Sequence, residues 1–146
     1  MKYELLHETG GVRTFVVILD PDDEALACLR EIAVKEDLDA AQISAIGAFR
    51  EATLAFFDWE TKAYLDIPVN EQTEVASMTG DIATGPDGSP AVHVHAVLGR
   101  RDGTAIAGHL SKGIVRPTLE ILITESPAHL ARRHDPATGL TLIRPR

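Results

Sequence analysis

The stretch AVHVHAVLGRRDGTAIAGHL, residues 91–110, decides the fold and carries the most informative side chains of the chain. Its first eight residues predict a strand on which His93 and His95 point to the same face. Arg101-Asp102-Gly103 predicts a turn, after which the chain returns as a second strand that carries His109. The stretch therefore predicts a β-hairpin whose register decides whether the three imidazole rings come together.

The length of the loop decides whether the three rings share one face of the sheet. With Asp102-Gly103 as a two-residue loop, His95 faces Leu110 and His109 points to the opposite side. With a three-residue loop and Gly103 in the left-handed conformation, His95 lies opposite His109, with Cβ atoms about 4.5–5.5 Å apart. The second register predicts a divalent-metal site with an open position. The sequence leaves both registers open.

The alternative interpretation gives these histidines no metal. His93 and His95 are then polar residues on a sheet face, and a backbone carbonyl satisfies His109. The remaining histidines, His7, His129 and His134, have no comparable spacing and are expected at the surface.

The rest of the chain predicts one helix and several strands. Asp20 is expected to cap a helix that begins at Pro21 and runs to about Glu36. The apolar run Phe15–Leu19 predicts a strand over residues 12–19 that is buried on both faces or central in a sheet. Further strands are expected over residues 43–48, 53–58, 63–69, 74–83, 91–99, 104–110 and 114–124. With no repeat or linker, we predict a single domain over residues 1–146 of the α/β (α+β) class.

Composition narrows the class of protein. The 146 residues are 45% hydrophobic and 25% charged, as in an ordinary globular domain with one core. No apolar run is long enough to cross a bilayer, and Met1-Lys2-Tyr3-Glu4 lacks the apolar core of a signal peptide. Cys28 is the sole cysteine and is expected in the core. We therefore expect a cytoplasmic protein with no membrane association.

The charge distribution disfavours direct binding to DNA. The formal net charge is −8, whereas nucleic-acid binding usually needs a cationic face. Residues 129–146 form a basic C-terminal tail with four arginines and one aspartate. We interpret this tail as a solvated surface segment.

Several motifs in a fixed order carry a family resemblance. They are Ile46–Leu54, Glu74–Ile82, His93-Val94-His95, Gly108-His109-Leu110 and Gly113–Ile121. With them the chain resembles the plant-and-prokaryote-conserved (PPC) domain family, as a stand-alone prokaryotic member without an AT-hook. The resemblance implies a mostly antiparallel, strongly curved sheet with one main helix, assembled as a homotrimer. It also implies a divalent metal, and three histidines are a known zinc ligand set.

Three functions are compatible with this resemblance. The first is a regulatory or interaction module that recognises a protein partner or a small-molecule ligand, because no nucleophile or general base is evident. The second is a metal-dependent lyase or hydrolase, because the fold and the histidine pattern are also similar, more distantly, to acetolactate decarboxylase. Direct DNA binding ranks last. No catalytic residue is assigned, and the candidates for ligand contacts around the metal are Arg50, Glu51, Arg116 and Glu120.

Overall fold

The computed structural model describes residues 1–144, which form nine strands and one helix. In chain order these are β1 (Lys2–Thr9), β2 (Val12–Leu19), α1 (Ala25–Lys35), β3 (Ala40–Asp58), β4 (Ala63–Val69), β5 (Thr73–Thr84), β6 (Pro90–Gly99), β7 (Ala105–Glu125), β8 (Ala131–His134) and β9 (Thr141–Arg144). The predicted fold class, a mostly antiparallel sheet with one main helix, is confirmed. No helix in the described part of the chain is long and apolar enough to span a bilayer.

The strands form one sheet that curves back on itself. Its main path runs β1-β2-β7-β3-β5-β8-β9, with β4 paired to β3. Strand β6 pairs with both β5 and β7, so that β3, β5, β6 and β7 make a closed circuit of antiparallel pairs. The two longest strands, β3 and β7, shift register three times against each other, and such bulges bend a sheet. The curvature places the β6–β7 hairpin against both β5 and the end of β3.

Strand β7 joins two segments that the sequence predicted as separate strands. Pairing passes from Leu54–Leu110 to Thr53–Lys112, so Ser111 is an extra residue on β7. A bulge of this kind bends a strand without ending it. The predicted break between residues 110 and 114 was therefore wrong. The chain has a bulge there, inside a single 21-residue strand.

The helix begins later than the sequence predicted. Glu24, not Asp20, is the N-cap, and its carboxylate accepts hydrogen bonds from Leu26 N at 3.2 Å and Ala27 N at 2.8 Å. Residues 22 and 23 are instead tied to β7, because Asp22 N donates to Val115 O at 2.9 Å. This pairing holds the chain out of the helical conformation until Ala25.

The core lies between α1 and the sheet. The helix buries the predicted apolar stripe of Leu26, Leu29, Ile32 and Ala33, and Cys28 is buried with them. Burial raises the pKa of the Cys28 thiol to about 11, as expected for a core thiol. Strand β2 buries Phe15, Val17 and Leu19 and leaves the side chains between them partly exposed, so it is not buried on both faces. It lies between β1 and β7, which confirms the other predicted alternative, a strand central in the sheet.

Candidate metal centre

Between β6 and β7 the pair Arg100–Thr104 encloses a three-residue loop, Arg101-Asp102-Gly103. Arg100 N donates to Thr104 O at 2.8 Å, and Gly103 N donates to Arg100 O at 3.0 Å. Gly103 has a φ of +85°, a left-handed conformation that glycine adopts without strain. Of the two registers that the sequence allowed, the structure has the one in which His95 pairs with His109.

The three histidine rings converge on one point at the face of the sheet. The ring centroids of His93 and His95 are 5.1 Å apart, those of His93 and His109 are 5.1 Å apart, and those of His95 and His109 are 5.4 Å apart. Each ring offers one nitrogen, and these nitrogens all lie within 4.8 Å of one another. Zinc binds imidazole nitrogens at about 2.0–2.1 Å, and this cluster of three nitrogens fits one ion shared among the rings.

Two further observations fit a metal at this cluster. The Nδ1 atom of His109 is buried and has no hydrogen-bond partner among residues 1–144, and a buried polar atom of this kind normally needs a ligand. Burial lowers the pKa of His95, and burial together with the neighbouring His93 and His95 lowers the pKa of His109 to about 4. These two rings are therefore neutral near pH 7, which is the form that coordinates metals.

An acidic side chain lies beside His93 on the neighbouring strand. Asp81 is directly opposite His93 in the β5–β6 ladder, with its Oδ2 atom 3.8 Å from His93 Nδ1. Burial alone would raise the pKa of Asp81, but its contacts with His93 and Arg132 hold that pKa below its ordinary value. The carboxylate is therefore ionised beside the imidazole, as in the carboxylate–histidine pairs that orient metal ligands.

The basic tail contributes to the site instead of remaining in solvent. Arg132 on β8 is only 8% exposed, and its Nη2 atom donates to Asp81 Oδ1 at 2.5 Å. The interpretation of residues 129–146 as a solvated surface segment was therefore wrong for Arg132. Neither Asp81 nor Arg132 was predicted from the sequence. Antiparallel pairing of the predicted strands at residues 74–83 and 91–99 is a signal that could have placed Asp81 near His93, but no pattern in the sequence indicates that Arg132 reaches it.

The histidines open onto a cleft of about 580 Å³. Its wall includes the three rings, Arg132 and, from the last hairpin, Leu140 and Leu142. Phe57 and Tyr64 form another part of the wall, and the Tyr64 ring lies 4.9 Å from the His109 ring. A mostly apolar cleft that ends at a group of polar side chains is typical of a small-molecule site.

The other predicted ligand-contact residues lie elsewhere. Arg50 forms an ion pair with Asp22, and Glu51 lies 3.6 Å from Lys112. Arg116 is exposed on β7, and Glu120 lines a separate surface groove. None of these four residues lines the histidine cleft, and their role in ligand binding stays a prediction. His7, His129 and His134 are exposed, as expected.

The fold and the site together define a β-rich, single-helix protein with a three-histidine candidate metal centre. The sequence profile of the Plants and Prokaryotes Conserved (PCC) domain matches residues 6–127. The chain therefore belongs to this family, which confirms the family resemblance stated above. No curated protein matches the sequence.

Solved structures of relatives share this fold over nearly the whole chain. A candidate DNA-binding protein from Bacteroides thetaiotaomicron is 29% identical, with a TM-score of 0.87 over 97% of this chain and 96% of that one. A metal-containing protein from Archaeoglobus fulgidus is 29% identical, with a TM-score of 0.84 over 99% of each chain. A plant- and prokaryote-conserved protein from Pyrococcus horikoshii is 29% identical, with a TM-score of 0.85 over 96% of this chain and 99% of that one.

Proposed function

We propose that each chain binds one divalent metal ion, zinc, through His93, His95 and His109. The observation that carries the proposal is the convergence of three histidine nitrogens within 4.8 Å. Imidazole suits zinc, and three histidine ligands leave one coordination position open. The similarity to the metal-containing protein from Archaeoglobus fulgidus supports the same proposal.

We further propose that the metal-loaded protein is a cytoplasmic homotrimer that works as a regulatory or interaction module. The support is an outward apolar face made by neighbouring strands, on which Ile46 is 60% exposed and Leu122 is 50% exposed. Val16 on β2 lies directly across from Leu122, and Ile18 lies beside them. Exposed apolar surface of this kind is typical of an interface between subunits.

A metal-dependent enzyme is the second candidate, and the cleft favours it. Zinc held by His93, His95 and His109 would supply Lewis acidity toward a carbonyl oxygen or a water molecule. The chain itself contributes Asp81, which orients His93, and the apolar side chains that line the cleft at the histidines. Within residues 1–144 the metal-ligand cluster contains the three histidines and no carboxylate, which leaves room for a substrate.

Direct DNA binding remains the third candidate. The similar protein from Bacteroides thetaiotaomicron is named as a candidate DNA-binding protein. In this chain the net charge is −8, and a trimer would triple it, which repels a polyanion. Arg132 is also unavailable to phosphate groups because it is buried against Asp81.

Metal analysis of the purified protein tests the proposal. We expect a ratio near one zinc per chain by mass spectrometry of the elements, and a ratio near zero in His93→Ala and in His95→Ala. His134→Ala is the matched control, because this exposed histidine lies outside the cluster, and it should keep its full zinc content. Full zinc content in His93→Ala would refute the site.

A structure with zinc bound then separates the two leading functions. A small molecule or water in the open position favours an enzyme, and a fourth protein ligand favours a structural ion.

A further inference from the structure

The C-terminal hairpin, β8 and β9, inserts a buried arginine next to the candidate metal centre. Arg132 is 8% exposed, its Nη2 atom donates to Asp81 and its Nη1 atom donates to Thr141 O at 3.1 Å. A buried guanidinium is costly unless an anion neutralises it. Asp81 is the anion here, so docking of the hairpin depends on this carboxylate.

The same carboxylate faces a metal ligand. One oxygen of Asp81 contacts Arg132, and the other lies 3.8 Å from His93 Nδ1. A histidine that points Nδ1–H toward a carboxylate is fixed in orientation, and its Nε2 atom is left free to coordinate. Asp81 therefore connects the hairpin on one side with His93 on the other.

Few backbone contacts hold the hairpin to the rest of the sheet. The ladder between β5 and β8 consists of one residue pair, Thr84 with Ala131, and Thr84 N donates to Leu130 O at 2.8 Å. The hairpin also lies beyond residues 6–127, the span matched by the family profile. Its Leu140 and Leu142 side chains nevertheless close one side of the histidine cleft.

We propose that Asp81 and Arg132 are positioning residues for His93, and that metal binding is coupled through them to docking of the hairpin over the cleft. This inference depends on the proposed metal site. An ion held by the other ring nitrogen of His93 would make its Nδ1–H group a stronger donor toward Asp81, and Asp81 would then keep the orientation that Arg132 needs. By thermodynamic reciprocity, docking of the hairpin raises the metal affinity by the same factor as the metal favours docking.

Zinc affinity and hydrogen exchange of the full-length protein test the coupling. We expect Asp81→Asn and Arg132→Met to weaken zinc binding about 10- to 100-fold in competition with a chromophoric chelator. Arg133→Met is the matched control, since its exposed neighbouring side chain should leave the affinity unchanged. In the wild type, zinc should slow amide exchange in residues 131–144. In the Asp81→Asn variant, saturation with zinc should leave the amide exchange rates of the hairpin the same as in the metal-free variant.

The outcomes separate the coupling from the metal site itself. A wild type that binds no zinc refutes the proposed function and, with it, the coupling. A wild type that binds zinc, together with an Asp81→Asn variant of equal affinity or a hairpin whose exchange ignores zinc, refutes the coupling alone. A loss of thermal stability in the metal-free variant without a loss of zinc affinity also refutes it. If Asp81→Asn does not fold, Arg132→Met, which removes the other member of the pair, is measured against the same criteria.

Discussion

His95 on β6 lies directly across from His109 on β7, and their ring centroids are 5.4 Å apart. The pairing places two of the three candidate metal ligands on neighbouring strands, and His93 joins them from the next position on the same face of β6. Because side chains alternate along a strand, a shift of one residue in the register of β6 against β7 would separate them.

Deletion of Val97 should abolish metal binding by changing this register. Val97 lies on β6 between His95 and the loop, so its loss pairs His95 with Gly108 and moves His109 to the opposite side of the sheet. We expect the zinc content to fall below about a tenth of the wild-type value, measured by elemental analysis with far-ultraviolet circular dichroism as the check on folding. Val97→Ala, which keeps the strand length, should retain its zinc. A folded deletion variant with full zinc content would show that the register does not control the site.

Substitution of Gly80 should damage the site from the neighbouring strand. A Cβ atom at Gly80 would lie 2.0 Å from His93 O and 2.7 Å from Val94 Cα, so β6 must move away from β5. We expect Gly80→Ala to lower the free energy of unfolding by about 1–3 kcal/mol, as in other overpacked cores, and to weaken zinc binding. Gly99→Ala is the control in the same pair of strands, because its nearest neighbouring atom would be 3.8 Å away. Equal urea denaturation curves for the two variants would contradict the prediction.

The metal-free protein should lose stability as the solution becomes acidic. The folded state lowers the pKa of His109 from 6.5 to about 4, mainly through burial. Between these values the unfolded chain binds a proton that the folded chain excludes, so the free energy of unfolding decreases as the pH falls from about 6.5 to 4. His109→Gln should show a smaller decrease in this window, measured by urea denaturation with a chelator present. An identical decrease in His109→Gln and in the control His7→Gln would assign the pH dependence to other groups.

The outward apolar face should control the oligomeric state. An aspartate at Leu122 places a charge in the centre of this face, where burial against another subunit would desolvate it. We expect a trimer for the wild type and a monomer for Leu122→Asp in size-exclusion chromatography with light scattering. Val34→Asp is the matched control, because Val34 is 65% exposed on α1 and should leave the trimer intact. A monomeric wild type would refute the homotrimer.

The sequence predicted the local structure wherever one segment is sufficient to specify it. The strands at residues 12–19 and 63–69 have the predicted bounds, and the predicted apolar stripe of α1 is buried. The helix start was displaced because Asp22 pairs with Val115, a residue distant in sequence. The helix propensity of a short segment does not include contacts with residues distant in sequence, and such tertiary pairing overrides local propensity.

The sequence by itself determined which residues could bind a metal, because the residue types and their alternation along a strand are local properties. Only the tertiary structure decided that they converge, since the register of β6 against β7 selects one of two allowed loops. The tertiary structure also brings Asp81 and Arg132, 51 residues apart in sequence, into an ion pair beside His93. Contacts of this kind arise from the curvature of the whole sheet and from the burial of a charge that needs a partner, and neither property is encoded in a single segment.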